Sequence, residues 1–271
     1  MKLFTLSAVL LALAAPAAAQ DVTPSFGATV PAGWYVDRYA PASFNLTNGF
    51  QGRNDVLGIG ISSADRLDNR PGAFQSQFYN TQGQKSDINA VGSWSLTADL
   101  WVDASWANNA NGYVRTDIWA TAFNVGNTPS AYPILGFTNF GGAGRFRGYD
   151  VNTGLWLDYG ATVNYGAWNT LLMSFDLGTG AFGYSVNGVQ QGSVVGNGTT
   201  TGIGNVIMQA YNYDLSFLAG RNGNPDYTAY WSNTPGNGGE QEVVPEPATM
   251  TLLATGLAGM AAARRRKQKK S

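Results

Sequence analysis

The stretch from Trp168 to Gly188 reads Trp-Asn-Thr-Leu-Leu-Met-Ser-Phe-Asp-Leu-Gly-Thr-Gly-Ala-Phe-Gly-Tyr-Ser-Val-Asn-Gly, and it constrains the fold more than any other segment. Thr170–Phe175 and Ala181–Val186 alternate with the period of two that a half-buried strand requires. A glycine-rich break separates them, and Asn187-Gly188 follows, the dipeptide that a tight two-residue turn prefers. The pattern predicts one hairpin followed directly by another. The same grammar recurs elsewhere, with 35 glycines punctuating short apolar runs. Further strands are expected near Val56–Ile61, Ser93–Val102, Tyr113–Phe123, Ile134–Phe137, Leu155–Tyr159 and Val206–Tyr211. Helical periodicity is absent until the last part of the chain, so the fold class is all-β.

Both ends read as processing segments. Lys2, the apolar run Leu3–Leu13, Pro16 and then Ala17-Ala18-Ala19 make a secretory signal peptide over residues 1–19. Ala17 and Ala19 are the small residues of the cleavage site, and signal peptidase is the implied partner. At the far end Val244-Pro245-Glu246-Pro247-Ala248-Thr249 leads into an uncharged stretch, read as a transmembrane segment over 249–263. Arg264, Arg265, Arg266 and Lys267 open a basic tail running to Ser271. An apolar stretch followed by cations acts as a stop-transfer signal, with the tail cytoplasmic and the preceding domain outside. The stretch is short and rich in alanine and glycine, a marginal permanent anchor. Residues 236–243 read as a flexible linker.

Those C-terminal parts, in that order, resemble the PEP-CTERM sorting signal over residues 244–271. The resemblance implies transient anchoring in the inner membrane, cleavage near the Pro-Glu-Pro by an exosortase, and release to the cell surface or into extracellular polysaccharide.

Composition limits what the domain at 20–235 can do. Residues 20–244 hold sixteen acidic and nine basic residues, a net charge of −7. A surface of that sign does not suit nucleic acid, whose phosphates demand a cationic face. There is no cysteine and no histidine in the chain. Thiolate catalysis, Ser-His-Asp catalysis and imidazole zinc sites are therefore excluded. The three glutamates are Glu240, Glu242 and Glu246, so carboxylate chemistry in the domain rests on aspartate alone.

The Trp168–Gly188 segment, with Trp-x-x-Leu, then Asp, Gly and Tyr-x-Val-Asn-Gly, resembles the concanavalin-A-like and laminin-G-like sandwiches. Phe78-Tyr79-Asn80-Thr81-Gln82-Gly83 and Arg115-Thr116-Asp117-Ile118-Trp119 fit the same group, over about residues 40 to 232. The resemblance implies an antiparallel jelly-roll β-sandwich and a sheet face that binds glycans.

Alternation selects the candidate face. Trp94, Leu96, Ala98, Leu100 and Val102 form a core side, leaving Asp99 and Trp101 opposite. Val114, Thr116, Ile118, Ala120 and Ala122 form another, leaving Arg115, Asp117 and Trp119. Trp156 and Asp158 alternate with Leu155 and Leu157, and Arg145 and Arg147 are further candidates. Indole faces stack on sugar C–H groups while charged groups bond hydroxyls, so these residues make a candidate carbohydrate site with extracellular polysaccharide as partner. The competing reading covers Trp101 and Trp119 with a loop as a second small core, leaving a structural or adhesive matrix component. A third reading is a glycoside hydrolase. Related sandwiches include enzymes with a Glu-x-Asp-x-x-Glu strand, which this chain lacks. A retaining mechanism needs carboxyl groups about 5–5.5 Å apart, for which Asp99 and Asp117 are the candidate pair. No catalytic residue, no metal ligand and no cofactor is assigned. Structural calcium is an open expectation at Asp150-Val151-Asn152-Thr153-Gly154 and Asn222-Gly223-Asn224-Pro225-Asp226, although neither loop has EF-hand spacing and both read first as Asx turns.

Overall fold

The computed structural model describes residues 19–213 and 225–233. The signal segment before Ala19, the linker, the sorting motif and the stop-transfer cations lie outside the described residues. Among the described residues sixteen strands, β1 to β16 in chain order, run over Gln20–Asp21, Tyr35–Val36, Ser43–Thr47, Val56–Ile61, Thr81–Val91, Trp94–Val102, Arg115–Asn124, Pro129–Ala131, Ile134–Thr138, Arg145–Tyr149, Trp156–Asp158, Ala167–Asp176, Ala181–Val186, Val189–Val195, Thr200–Tyr211 and Tyr227–Ser232.

They form two sheets. The first has the order β14-β13-β12-β6-β16-β4-β3, with β1 added in parallel to β6. The second has the order β11-β10-β9-β7-β15-β5-β2, with β8 pairing β7. The remaining strand pairs are antiparallel. The chain crosses between sheets repeatedly, as from β5 to β6 and from β6 to β7. The expected double hairpin is present: β12 pairs β13 and β13 pairs β14. Asn187 and Gly188 turn it with φ of 51° and 76°, both in the left-handed region that a type I′ turn needs.

One apolar core lies between the sheets. Trp94, Leu96, Ala98, Leu100 and Val102 enter it from β6, and Ile118, Ala120 and Ala122 from β7. Several polar groups at this core are matched across it, although the Trp94 indole N–H has no partner among the described residues. The indole N–H of Trp231 in β16 donates to Thr116 Oγ1 in β7 at 2.9 Å, tying one sheet to the other. The Tyr227 hydroxyl donates to the Tyr211 carbonyl at 2.7 Å and accepts its N–H at 3.1 Å.

At one point two backbones approach so closely that only glycine fits. A Cβ on Gly136 in β9 would lie 2.3 Å from Asp117 Oδ1 and 2.3 Å from the Thr116 carbonyl. Since Gly136 pairs Asp117 directly, the conflict is with backbone as well as side chain. Gly136→Ala is expected to lower stability by about 1–3 kcal/mol, read as a reduced urea midpoint.

The first loop considered for calcium is an Asx turn. Asp150 Oδ1 accepts the N–H groups of Asn152 at 2.9 Å and Thr153 at 3.3 Å. In the second, residues 222–224 lie outside the described set, and Asp226 Oδ1 accepts the Ser63 N–H at 2.6 Å. Among the described residues no group of three acidic side chains clusters as metal ligands do.

Candidate functional site

The structure divides the face read from the sequence into two. Asp99 and Trp101 lie on β6 in the first sheet, whereas Arg115, Asp117, Trp119, Trp156 and Asp158 lie on β7 and β11 in the second. Each strand turns its apolar side to the shared core, so the two sets face outward on opposite sides of the sandwich. The expected neighbourhood of Asp99 and Asp117 is therefore corrected. β6 pairs β12 and β16, β7 pairs β15 and β9, and the two carboxylates cannot act on one bond.

On the first sheet Trp101 is half-buried beside a loop. The turn carrying Gln51 and Gly52 at φ of 48° and 77° closes over it. Phe50 stacks on Tyr230 at 3.8 Å between ring centroids and meets Trp101 and Trp168 edge-on at 5.9 and 6.1 Å. Arg53 lies 4.4 Å from the Trp168 ring centroid and pairs with Asp99 at 2.5 Å. The tryptophan thus belongs to a small aromatic cluster under a loop, although it also borders a hollow of about 410 Å³ with Asp103, Trp106 and Tyr230. Phe50→Ala is expected to lower stability by about 1–3 kcal/mol, less than a fully buried ring would lose. Urea unfolding checks this.

The second sheet carries a groove of about 700 Å³. Trp119, Ile134 and Ile207 floor it, with Tyr149 and Trp156 packed against them. Trp119 is 8% exposed. Phe78 and Tyr132 stand on its rim at 60% and 43% exposure. Arg38, Lys85 and Arg115 line it, with Asp37.

The indoles do not present bare faces. Arg38 lies 4.5 Å from the centroid of Trp119 and 4.6 Å from that of Phe78. Arg115 and Arg147 lie 4.5 and 3.9 Å from that of Trp156. The guanidinium–indole contact is favourable because the ring face carries negative potential. The sequence-based expectation of sugar stacked on Trp119 and Trp156 is thereby modified: guanidinium groups are already there, and the most exposed rings of the groove are Tyr132 and Phe78, the latter also in contact with Arg38.

The charges are built in pairs. Arg115 Nε donates to Asp117 Oδ2 at 2.6 Å. Burial pulls the Arg115 pKa down, and Asp117, Tyr213 and Tyr211 more than offset it, so the guanidinium stays charged. Asp117 Oδ1 is buried without a hydrogen-bond partner among the described residues. Asp158 sits at the sheet edge, paired with Arg145 at 2.8 Å. Asp37 joins Lys85 at 3.4 Å and Arg38 at 3.5 Å.

Arg38, Phe78, Lys85 and Tyr132 escape a reading by alternation. Phe78 sits in a 3-10 turn, Tyr132 between β8 and β9, and Arg38 beyond the end of β2, where no strand period assigns a face. Lys85 lies in β5, a strand too polar to be recognised. Exposed aromatics in segments rich in Asn, Gln and Pro were the available signal.

Residues 243–267 match the model of the PEP-CTERM protein-sorting motif. The motif implies an exported protein held at its C-terminus before processing. The comparison with curated proteins finds no match. Among solved structures, a glycoside hydrolase family 16 endo-glucanase from Bacteroides ovatus superposes with a TM-score of 0.47 at 11% identity, over 77% of this chain and 97% of the other. The carbohydrate-binding module CBM66 from Bacillus subtilis gives 0.36 at 8% identity, over 67% and 92%. A sialidase gives 0.42 at 10% identity over 74% of this chain, which spans only 16% of the sialidase.

Proposed function

We propose that this is an exported surface or matrix protein whose β-sandwich binds carbohydrate, without cleaving it, in the groove on the outer face of the second sheet. The observation that carries the reading is the groove itself: about 700 Å³, aromatic on floor and rim, with guanidinium groups set among the rings. Apolar walls with a few placed polar groups are the usual make-up of a small-molecule site. Exposed rings stack on sugar C–H faces, and guanidinium N–H groups donate to hydroxyls.

The state of the carboxylates supports binding without hydrolysis. Asp117 is committed to Arg115, Asp37 to Lys85 and Arg38, and Asp158 to Arg145. A glycosidase needs one carboxyl group free to donate a proton and a second free to attack or activate water. The sorting motif supplies the context: after export and cleavage by an exosortase, the sandwich would meet the extracellular polysaccharide that it holds.

The test is retention on the host's extracellular polysaccharide. The wild type is expected to be retained, and the double variant Phe78→Ala, Tyr132→Ala to lose at least tenfold in affinity with an unchanged thermal midpoint. Equal retention of both proteins would remove the groove as the site.

A further inference from the structure

Resting on the carbohydrate reading of the groove, we infer that its ligand is an acidic polysaccharide, with a sugar carboxylate seated at Arg115 and Arg147 beside Trp156. The groove and its wall are cationic within a domain that is not. The charged lining is Arg38, Lys85 and Arg115 against Asp37, with Asp117 paired to Arg115. Arg147 adjoins it over the Trp156 ring, and Asp158, opposite Arg147 on β11, is engaged by Arg145, whereas residues 20–244 as a whole carry a net charge of −7. Local charge opposed to the charge of the whole is what selective attraction of an anion requires.

Arg147 is the decisive group. It is 8% exposed, and among the described residues it has no carboxylate within ion-pair distance. Its Nε–H is buried and without an acceptor among the described residues. A guanidinium so placed is costly unless an anion completes it. Burial, with Arg115 nearby, pushes its pKa down to about 10 against the weaker opposing pull of Asp117. A carboxylate matches the fork of N–H groups bidentately. A neutral sugar has no group of that charge and shape.

The experiment uses the full chain in a polyoxyethylene detergent, whose headgroup carries no sugar. The probes are polygalacturonate, its fully methyl-esterified form, a neutral β-glucan, dextran sulfate and single-stranded DNA. The basic tail is common to all variants, so differences between them report on the groove. Wild type is expected to bind polygalacturonate at least tenfold more tightly than its methyl ester. Arg147→Gln should abolish that preference, and Arg147→Lys should restore part of it. Lys85→Gln, at a partly exposed side chain of the groove, should weaken polygalacturonate binding and serves as the second variant if Arg147→Gln does not fold.

Equal binding of polygalacturonate and neutral glucan, unchanged in folded Arg147→Gln, would overturn the acidic ligand and leave the carbohydrate reading standing. Binding of none of the saccharides would overturn both. Equal binding of DNA or dextran sulfate would overturn the carboxylate specificity and make the groove a general polyanion site.

Discussion

Asp117→Ala is expected to destabilise the sandwich by about 3–5 kcal/mol, the range found when one partner of a buried ion pair is removed. Asp117 is 1% exposed, and its Oδ2 holds the Arg115 Nε at 2.6 Å. Without the carboxylate, Arg115 stays buried beside Arg147 with its charge uncompensated. The loss should therefore come from the stranded cation more than from the missing bond. Adding Arg115→Met to Asp117→Ala tests this, because removing both charges should recover much of the stability. Urea unfolding of the two single variants and the double closes the cycle. A double variant as unstable as the sum of the singles would show that packing, not charge, was lost.

Trp231→Ala should cost a similar amount, about 3–5 kcal/mol, for a different reason. The ring is completely buried and lies in the core between the sheets, so the change leaves a cavity and also strips Thr116 Oγ1 of its donor. Trp231→Phe separates the two effects. Most of the apolar volume returns while the hydrogen bond stays absent, so a residual loss of about 1–3 kcal/mol is expected. Calorimetric midpoints of the three proteins measure it.

The parts of the fold legible in the sequence are those closed locally. Ala181–Val186, the hairpin before it and the Asn187-Gly188 turn after it depend on residues close along the chain, and the structure has them where alternation puts them. Thr81–Val91 was not legible. Its sequence Thr-Gln-Gly-Gln-Lys-Ser-Asp-Ile-Asn-Ala-Val is polar, yet it lies between β2 and β15, and its buried polar groups find distant partners. Gln82 donates to the Ala40 carbonyl at 2.8 Å and accepts from Asn212 at 2.9 Å. No local pattern announces hydrogen bonds made across so many residues.

The candidate site shows the same limit. Alternation separates core from outer side on one strand and says nothing of which sheet the strand joins. Asp99 with Trp101 and Arg115 with Asp117 and Trp119 look alike by period, and only the crossover from β6 to β7 sets them on opposite faces. Trp119 and Trp156 lie on the outer sides of their strands, where alternation puts them, and pack in one cluster. Their arginine partners were not legible as such, because a guanidinium over an indole depends on the packing of β7, β10 and β11, and for Arg38 on a connection outside the alternating runs.

The central claim is that the groove of the second sheet, not the aromatic cluster of the first, holds carbohydrate. The most direct measurement is an NMR titration of the indole N–H signals with oligosaccharides prepared from the host's extracellular polysaccharide. Trp119 and Trp156 are expected to shift together and saturably, while Trp101 and Trp168 stay in place. Shifts at Trp101 and Trp168 with Trp119 and Trp156 unmoved would move the site to the first sheet, and the absence of any shift at saturating sugar would contradict carbohydrate binding by this domain.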